Sequence, residues 1–130
     1  MSDGRPFDLF DTYVHLRDGG EAHEIPVDEG FWPDLMAGRR RYDGRMITGS
    51  RMTATWDHWE RHPAGEEVLY LLSGAADFIL ETEKGESRVA LRKETPCFLV
   101  PAGVWHRCEV IEPGEVLFIT AGEGTEHKPV

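Results

Sequence analysis

The chain has 130 residues, 40% of them apolar and 29% charged, which suits one folded domain with a core of its own and excludes a disordered chain. Its 24 acidic residues against 14 basic give a formal net charge of −10. Such a surface repels phosphate backbones and anionic membranes, so neither nucleic acid nor membrane is expected as a partner.

The first residues, Met-Ser-Asp-Gly-Arg-Pro, carry no apolar core of signal-peptide length. No later apolar run approaches a membrane span, so a cytoplasmic address is the default expectation. Residues 1–30 are turn-rich and acidic, with a short strand expected from Leu9, Phe10, Tyr13, Val14 and Leu16, ended by Asp18-Gly19-Gly20. Phe31-Trp32-Pro33-Asp34-Leu35-Met36 is too apolar for open solvent. It reads either as a flap packed on the outside of the fold or as a segment that sets Trp32 or Met36 at its mouth. His15 and His23 read as surface or partly buried side chains away from any site. Arg39-Arg40-Arg41 with Arg45 reads as a solvated loop rather than an anion site.

From Arg45 the texture changes to short strand-like runs between turn signals. Strands are expected at 46–48, 52–56, 69–72, 75–80, 87–91, 97–100, 107–111 and 116–120. Turns are expected at Ser73-Gly74, Glu83 to Glu86, Glu94 to Pro96, Pro101 to Gly103 and Glu112 to Gly114. About eight strands with no helical periodicity predict an all-β antiparallel barrel or jelly roll. One domain is expected: an irregular N-terminal extension (1–44) packed on the barrel, a barrel core (45–121) and a polar, glycine-rich tail (122–130). The tail reads as ordinary surface, the alternative being that its Gly124-Thr125-Glu126-His127 folds back over the barrel mouth. Cys97 and Cys108 are the two cysteines. A disulfide across the Pro101–Gly103 hairpin is geometrically open, but two buried thiols packing as small hydrophobes are expected in a reducing compartment.

Chemistry concentrates between Trp56 and Gly74, which reads W-D-H-W-E-R-H-P-A-G-E-E-V-L-Y-L-L-S-G. On a strand, His58, Glu60 and His62 share one face, while Asp57, Trp59 and Arg61 share the other. Pro63-Ala64-Gly65 breaks that strand and Glu67 opens the next. Few structural needs set two histidines and two carboxylates beside buried strands. Glu60 and His62 are close enough, at roughly 7 Å between Cα atoms, to reach a common ion.

These residues resemble the cupin family. Glu60-x-His62-x4-Glu67-x6-Gly74 matches the first cupin motif, G-x5-H-x-H-x3,4-E-x6-G, in spacing. Glu60 stands where the first histidine is usual, and Ala54 where the leading glycine is. Pro101-x-Gly103-x2-His106 matches the second motif, G-x5-P-x-G-x2-H-x3-N, with Thr95 and Val110 at its outer positions. The resemblance implies a cupin-type double-stranded β-helix, or jelly-roll barrel.

The resemblance further implies one divalent metal ion held by His62, Glu67 and His106, with Glu60 as a fourth ligand or as a general base beside the ion. Two histidines and one carboxylate leave open positions and suit Fe or Mn, with Zn and Ni also within range. His58 is a substitute ligand, a partner that orients a ligand, or a proton shuttle. Trp56 and Trp105 are candidate walls of a substrate pocket or plain core residues. Trp59 and Tyr70 are expected to face outward and need a cover, and the resemblance implies a homodimer through such outer sheet surfaces. The expected function is a metal-dependent enzyme of dioxygenase, isomerase or lyase type acting on a small polar or aromatic metabolite. The alternatives are a non-catalytic small-molecule-binding or sensing cupin, and a metal-free barrel whose buried polar groups bond one another.

Overall fold

The computed structural model describes residues 4–130. In chain order these form β1 (Thr12–Leu16), β2 (Ala22–Pro26), α1 (Phe31–Met36), β3 (Arg45–Met52), β4 (His58–Arg61), β5 (Glu67–Thr82), β6 (Gly85–Leu91), β7 (Cys97–Val100), β8 (His106–Thr120) and β9 (Glu126–Pro129). One path of pairing runs β2-β1-β3-β8-β4-β9, and β5 joins it at β8 while carrying β6 and β7. Every pairing is antiparallel. The all-β barrel architecture is as expected. No helix among the described residues is long and apolar enough to cross a membrane.

Two long strands replace four expected short ones. Ser73-Gly74 and Glu112-Pro113-Gly114 lie inside β5 and β8, where the register shifts between Leu71 and Ala76 instead of ending in turns. The cause is close backbone contact. Gly74 has φ +80°, and a Cβ there would lie 2.6 Å from the Glu112 carbonyl oxygen and 2.8 Å from the Gly114 Cα. A Cβ on Gly114 would run into the Ser73 carbonyl. The glycine pair thus lets both strands irregularly bulge together and remain hydrogen-bonded on either side. Before the bulge β5 alternates strictly, with Glu67, Leu69 and Leu71 buried and Tyr70 and Leu72 exposed. The main core gathers Met52, Leu69, Leu71, Phe78, Val116 and Phe118. In contrast to expectation, β3 runs unbroken from Arg45 to Met52, and residues 53–57 are not strand.

The N-terminal extension is part of the sheet. Val14 of β1 lies opposite Ile47 of β3, and β2, not expected from the sequence, completes a hairpin with β1. A short helix also went unforeseen: α1 spans only six residues, with Pro33 tolerated in its first turn. Fully buried Phe31 anchors it edge-on to Tyr13 at 5.3 Å, in a second core with Met46, Leu35 and Tyr42.

The cysteine expectation needs correcting in part. Both thiols are free, but Cys97 is exposed and only Cys108 is buried. They sit on opposite flanks of β5, Cys97 opposite Tyr70 and Cys108 opposite Phe78, so they do not face each other. Burial pushes the Cys108 thiol up to about 12. Trp59, expected to face outward and need a cover, is buried. Arg107 lies 5.1 Å from its ring centre and Lys128 of β9 5.5 Å from it.

Replacing Gly74 by Ala forces both a positive φ and a backbone collision. Urea denaturation should show a loss of about 2–4 kcal/mol; a change below about 0.5 kcal/mol would mean the two long strands are not pinned there.

Candidate metal centre

The site is built on a cross-strand row. Glu60 of β4 lies directly opposite His106 of β8 on one side and His127 of β9 on the other. Directly opposed residues project to the same face of a sheet. The row His106–Glu60–His127 therefore presents three chemically active groups together. His62 follows β4 by one residue, and the Pro63–Gly65 turn returns the chain so that Glu67 opens β5 beneath it.

Glu67, His62 and His106 meet in the interior. Glu67 is 2% exposed and His106 0%. His62 Nε2 lies 3.2 Å from Glu67 Oε2, and His106 Nε2 lies 3.1 Å from Glu67 Oε1. Thr120 Oγ1 donates to Glu67 Oε2 at 2.5 Å. Burial alone would raise the Glu67 pKa, but the two histidines outweigh it and hold the carboxyl at about 2. Burial pulls the His106 pKa down and the facing Glu67 carboxylate more than reverses this, leaving it above the ordinary imidazole value.

The outer nitrogens of both rings are already committed. His106 Nδ1 donates to the Val104 carbonyl at 3.0 Å, since a carbonyl can only accept. His62 Nδ1 contacts Thr125 Oγ1 at 2.8 Å, and that hydroxyl gives its one proton to the Gly122 carbonyl at 2.7 Å. His62 Nδ1 must therefore be the donor. Both rings thus turn Nε2 toward the same carboxylate. Neither approach is aligned as a hydrogen bond, and His62 Nε2, His106 Nε2 and Glu67 Oε1 are all buried without a hydrogen-bond partner. Two imidazole nitrogens and a carboxylate oxygen converging in this way are a donor set that fits a divalent cation. Glu60, with its side chain 17% exposed, also offers an oxygen, and donor atoms of Glu60, His62 and His106 all lie within 4.8 Å of one another.

A cavity of about 550 Å³ opens above this cluster, within the usual range for small-molecule sites. Glu60, His62 and Glu67 lie at its base, with Thr120, Thr125 and His127 beside them. Its walls include Tyr13, Trp32, Leu35, Met36 and Phe118. The apolar 31–36 segment therefore sits at the mouth of the barrel. Arg40 is bound to Asp28 and Asp34. Arg41 and Arg45 line the cavity and carry no ion pair or side-chain hydrogen bond among the described residues.

Of the residues expected at the site, the structure brings together Glu60, His62, Glu67 and His106. His58 shares Glu60's face but lies outside the inner cluster, grouped instead with Glu60 and His127. Trp56 and Trp105 do not wall the cavity. Strand alternation does not reach Trp56, because residues 53–57 are not strand. Its ring stacks on His58 at 5.1 Å and meets Phe78 edge-on at 5.9 Å, on the core side. Trp105 lies between Arg61, at 4.7 Å, and Lys128, at 4.6 Å. His15 is buried and bonded to Asp43 away from the cluster. Sequence reasoning missed Thr120, and reached Thr125 and His127 only through the alternative in which the tail folds back over the barrel mouth. The segment read as surface tail turns back as β9 and pairs with β4 along its length.

No family model matches the sequence, and a search of curated proteins finds no relative. Solved structures give clear likenesses. A cupin-2 domain containing protein from Shewanella frigidimarina superposes with a TM-score of 0.51 at 15% identity, over 63% of this chain and 74% of that one. Oxalate decarboxylase from Lactobacillus farciminis, in a formate complex, gives 0.55 at 14% identity over 68% of this chain. Oxalate decarboxylase from Bacillus subtilis, an enzyme with Mn(II) centres, gives 0.53 at 17% identity over 68% of this chain. The matched regions span only 27% and 24% of those two enzymes. The chain shares the barrel fold of these proteins.

Because Thr125 fixes the His62 ring, Thr125→Val should weaken divalent-metal binding by about 10–100-fold while the fold persists. Calorimetric titration with Mn²⁺ or Zn²⁺ checks this; unchanged affinity would remove Thr125 from the centre.

Proposed function

We propose that the chain is a metal-dependent enzyme acting on a small anionic metabolite, of the dioxygenase, isomerase or lyase type. The observation that carries this is the convergence of two buried imidazole nitrogens, neither of them hydrogen-bonded, on a buried carboxylate at a ligand-sized cavity. His62, Glu67 and His106 would hold the ion. It would supply Lewis acidity and, if redox-active, oxygen activation. The Mn(II) centres of the B. subtilis enzyme support manganese as the first ion to try, with Fe, Zn and Ni as the other members of the set.

Each remaining group has a role in this reading. The Val104 carbonyl and Thr125 keep both rings in the binding tautomer. Glu60 is the most exposed of the four inner residues, faces the cavity and is bonded to His127 at 3.2 Å. It is the group that takes and returns a proton, with His127 as its partner in place of the expected His58. Arg41 and Arg45, lacking acidic partners, orient a substrate carboxylate or similar anion. Trp32, Leu35 and Met36 cover the bound molecule and keep water from it.

Outside the barrel, Val68, Tyr70 and Leu72 share the outward face of β5, with Leu99 opposite Val68 on β7. Tyr70, Leu72 and Leu99 are large, apolar and exposed, which supports a homodimer through this face. Trp59 takes no part, since β9 already covers it.

Manganese-loaded protein should speed the relaxation of water protons, because a catalytic ion keeps an exchangeable position, and small carboxylates should suppress that effect. Glu60→Gln should retain the inner ion and lose turnover in a carboxylate screen followed by mass spectrometry, whereas His106→Ala should lose both. An ion with no exchangeable water and no response to any carboxylate would favour a non-catalytic binding protein.

A further inference from the structure

We infer a second metal site, outside the first and sharing Glu60 with it, formed by His58, Glu60 and His127. Each of the three offers a donor atom, and all three atoms lie within 4.8 Å of one another. The elements that bring them together are β4 and β9: His58 lies opposite Pro129, and Glu60 opposite His127. Two imidazoles and a carboxylate are a donor set for zinc and neighbouring divalent ions.

An independent feature of the site points the same way. His58 Nδ1 lies 3.1 Å from the carboxylate of Asp57, which is fully solvent-exposed. An ionised carboxylate accepts only, so Nδ1 carries the proton and Nε2 keeps its lone pair. A carboxylate behind a ligating histidine is the usual arrangement that fixes its tautomer and raises its basicity. The Trp56 ring, stacked on His58 at 5.1 Å with an interplanar angle of 7°, holds the imidazole plane from behind. Among the described residues, the only hydrogen bond inside the trio joins His127 Nε2 to Glu60 Oε2, at 3.2 Å. Glu60 Oε1 and His58 Nε2 have none.

Glu60 thus belongs to both clusters, the inner one with His62 and His106 and the outer one with His58 and His127. Unlike the inner cluster, the outer one is open to solvent at His58 and His127, so its ion enters and leaves without rearranging the core. The net charge of −10 favours cation capture there. An outer ion takes Glu60 Oε2 from His127 and withdraws that carboxylate from proton transfer. This consequence rests on the proposed function; the site itself does not.

The test is zinc stoichiometry in chelator-stripped protein, reloaded with Zn²⁺, passed through gel filtration and assayed by elemental analysis, with circular dichroism as the check on folding. Wild type should keep two equivalents, while His58→Ala and His127→Ala each keep one. His106→Ala should also keep one, the outer ion. One equivalent in wild type that persists in both His58→Ala and His127→Ala would overturn the outer site. One equivalent lost in His58→Ala and His127→Ala but kept in His106→Ala would support the outer site and contradict the inner one instead.

Discussion

A carboxylate buried against two imidazoles governs the arrangement of this protein. Moving such a charge from water costs several kcal/mol unless partners compensate it. Thr120 donates to Glu67 Oε2, which also faces His62 Nε2, while Oε1 faces only His106 Nε2. The Nδ1 protons of both rings are held on the far side by Thr125 and Val104. His62 Nε2, His106 Nε2 and Glu67 Oε1 are left buried without a hydrogen-bond partner. A cation resolves that arrangement. Imidazolium formation would also resolve it, but the contacts are not aligned as N–H···O bonds, and alignment is what gives such a bond its strength.

The fold supplies this convergence through pairings distant in sequence. β8 brings His106 at its start and Thr120 at its end to Glu67 because it does not stop at Pro113-Gly114. β5 does the same across Ser73-Gly74, and the two strands bulge where their glycines meet. One end of the barrel is then closed over the site from both chain directions. The β1–β2 hairpin and α1 bring Tyr13, Trp32 and Met36 over the cavity, and β9 brings Thr125 and His127 to its base. The extension and the last strand therefore complete the centre that the barrel core begins.

The barrel and the inner cluster of side chains were legible because their signals are local. Alternation, the turn residues, the spacing of Glu60, His62 and Glu67, and that of Pro101, Gly103 and His106 are each contained in a short stretch of chain. Long-range pairing leaves no such trace. Residues 122–130 are polar and glycine-rich like any surface segment, and only the partnership with β4 makes Thr125 and His127 part of the site. Trp56 was misplaced because alternation was carried past the start of β4, and Trp105 because adjacence to His106 in a strand-like stretch means the opposite face. The Ser73-Gly74 and Pro113-Gly114 pairs are ordinary turn signals. Their contact with each other, which turns them into bulges, is a tertiary event.

The central claim is a divalent ion bound jointly by His62, Glu67 and His106. Anomalous X-ray diffraction from crystals of metal-loaded protein, collected on both sides of the ion's absorption edge, tests it most directly. The account predicts a strong peak bonded to Nε2 of both histidines and to the Glu67 carboxylate. A map with no peak there, and with both Nε2 atoms realigned as hydrogen-bond donors to Glu67, would contradict it.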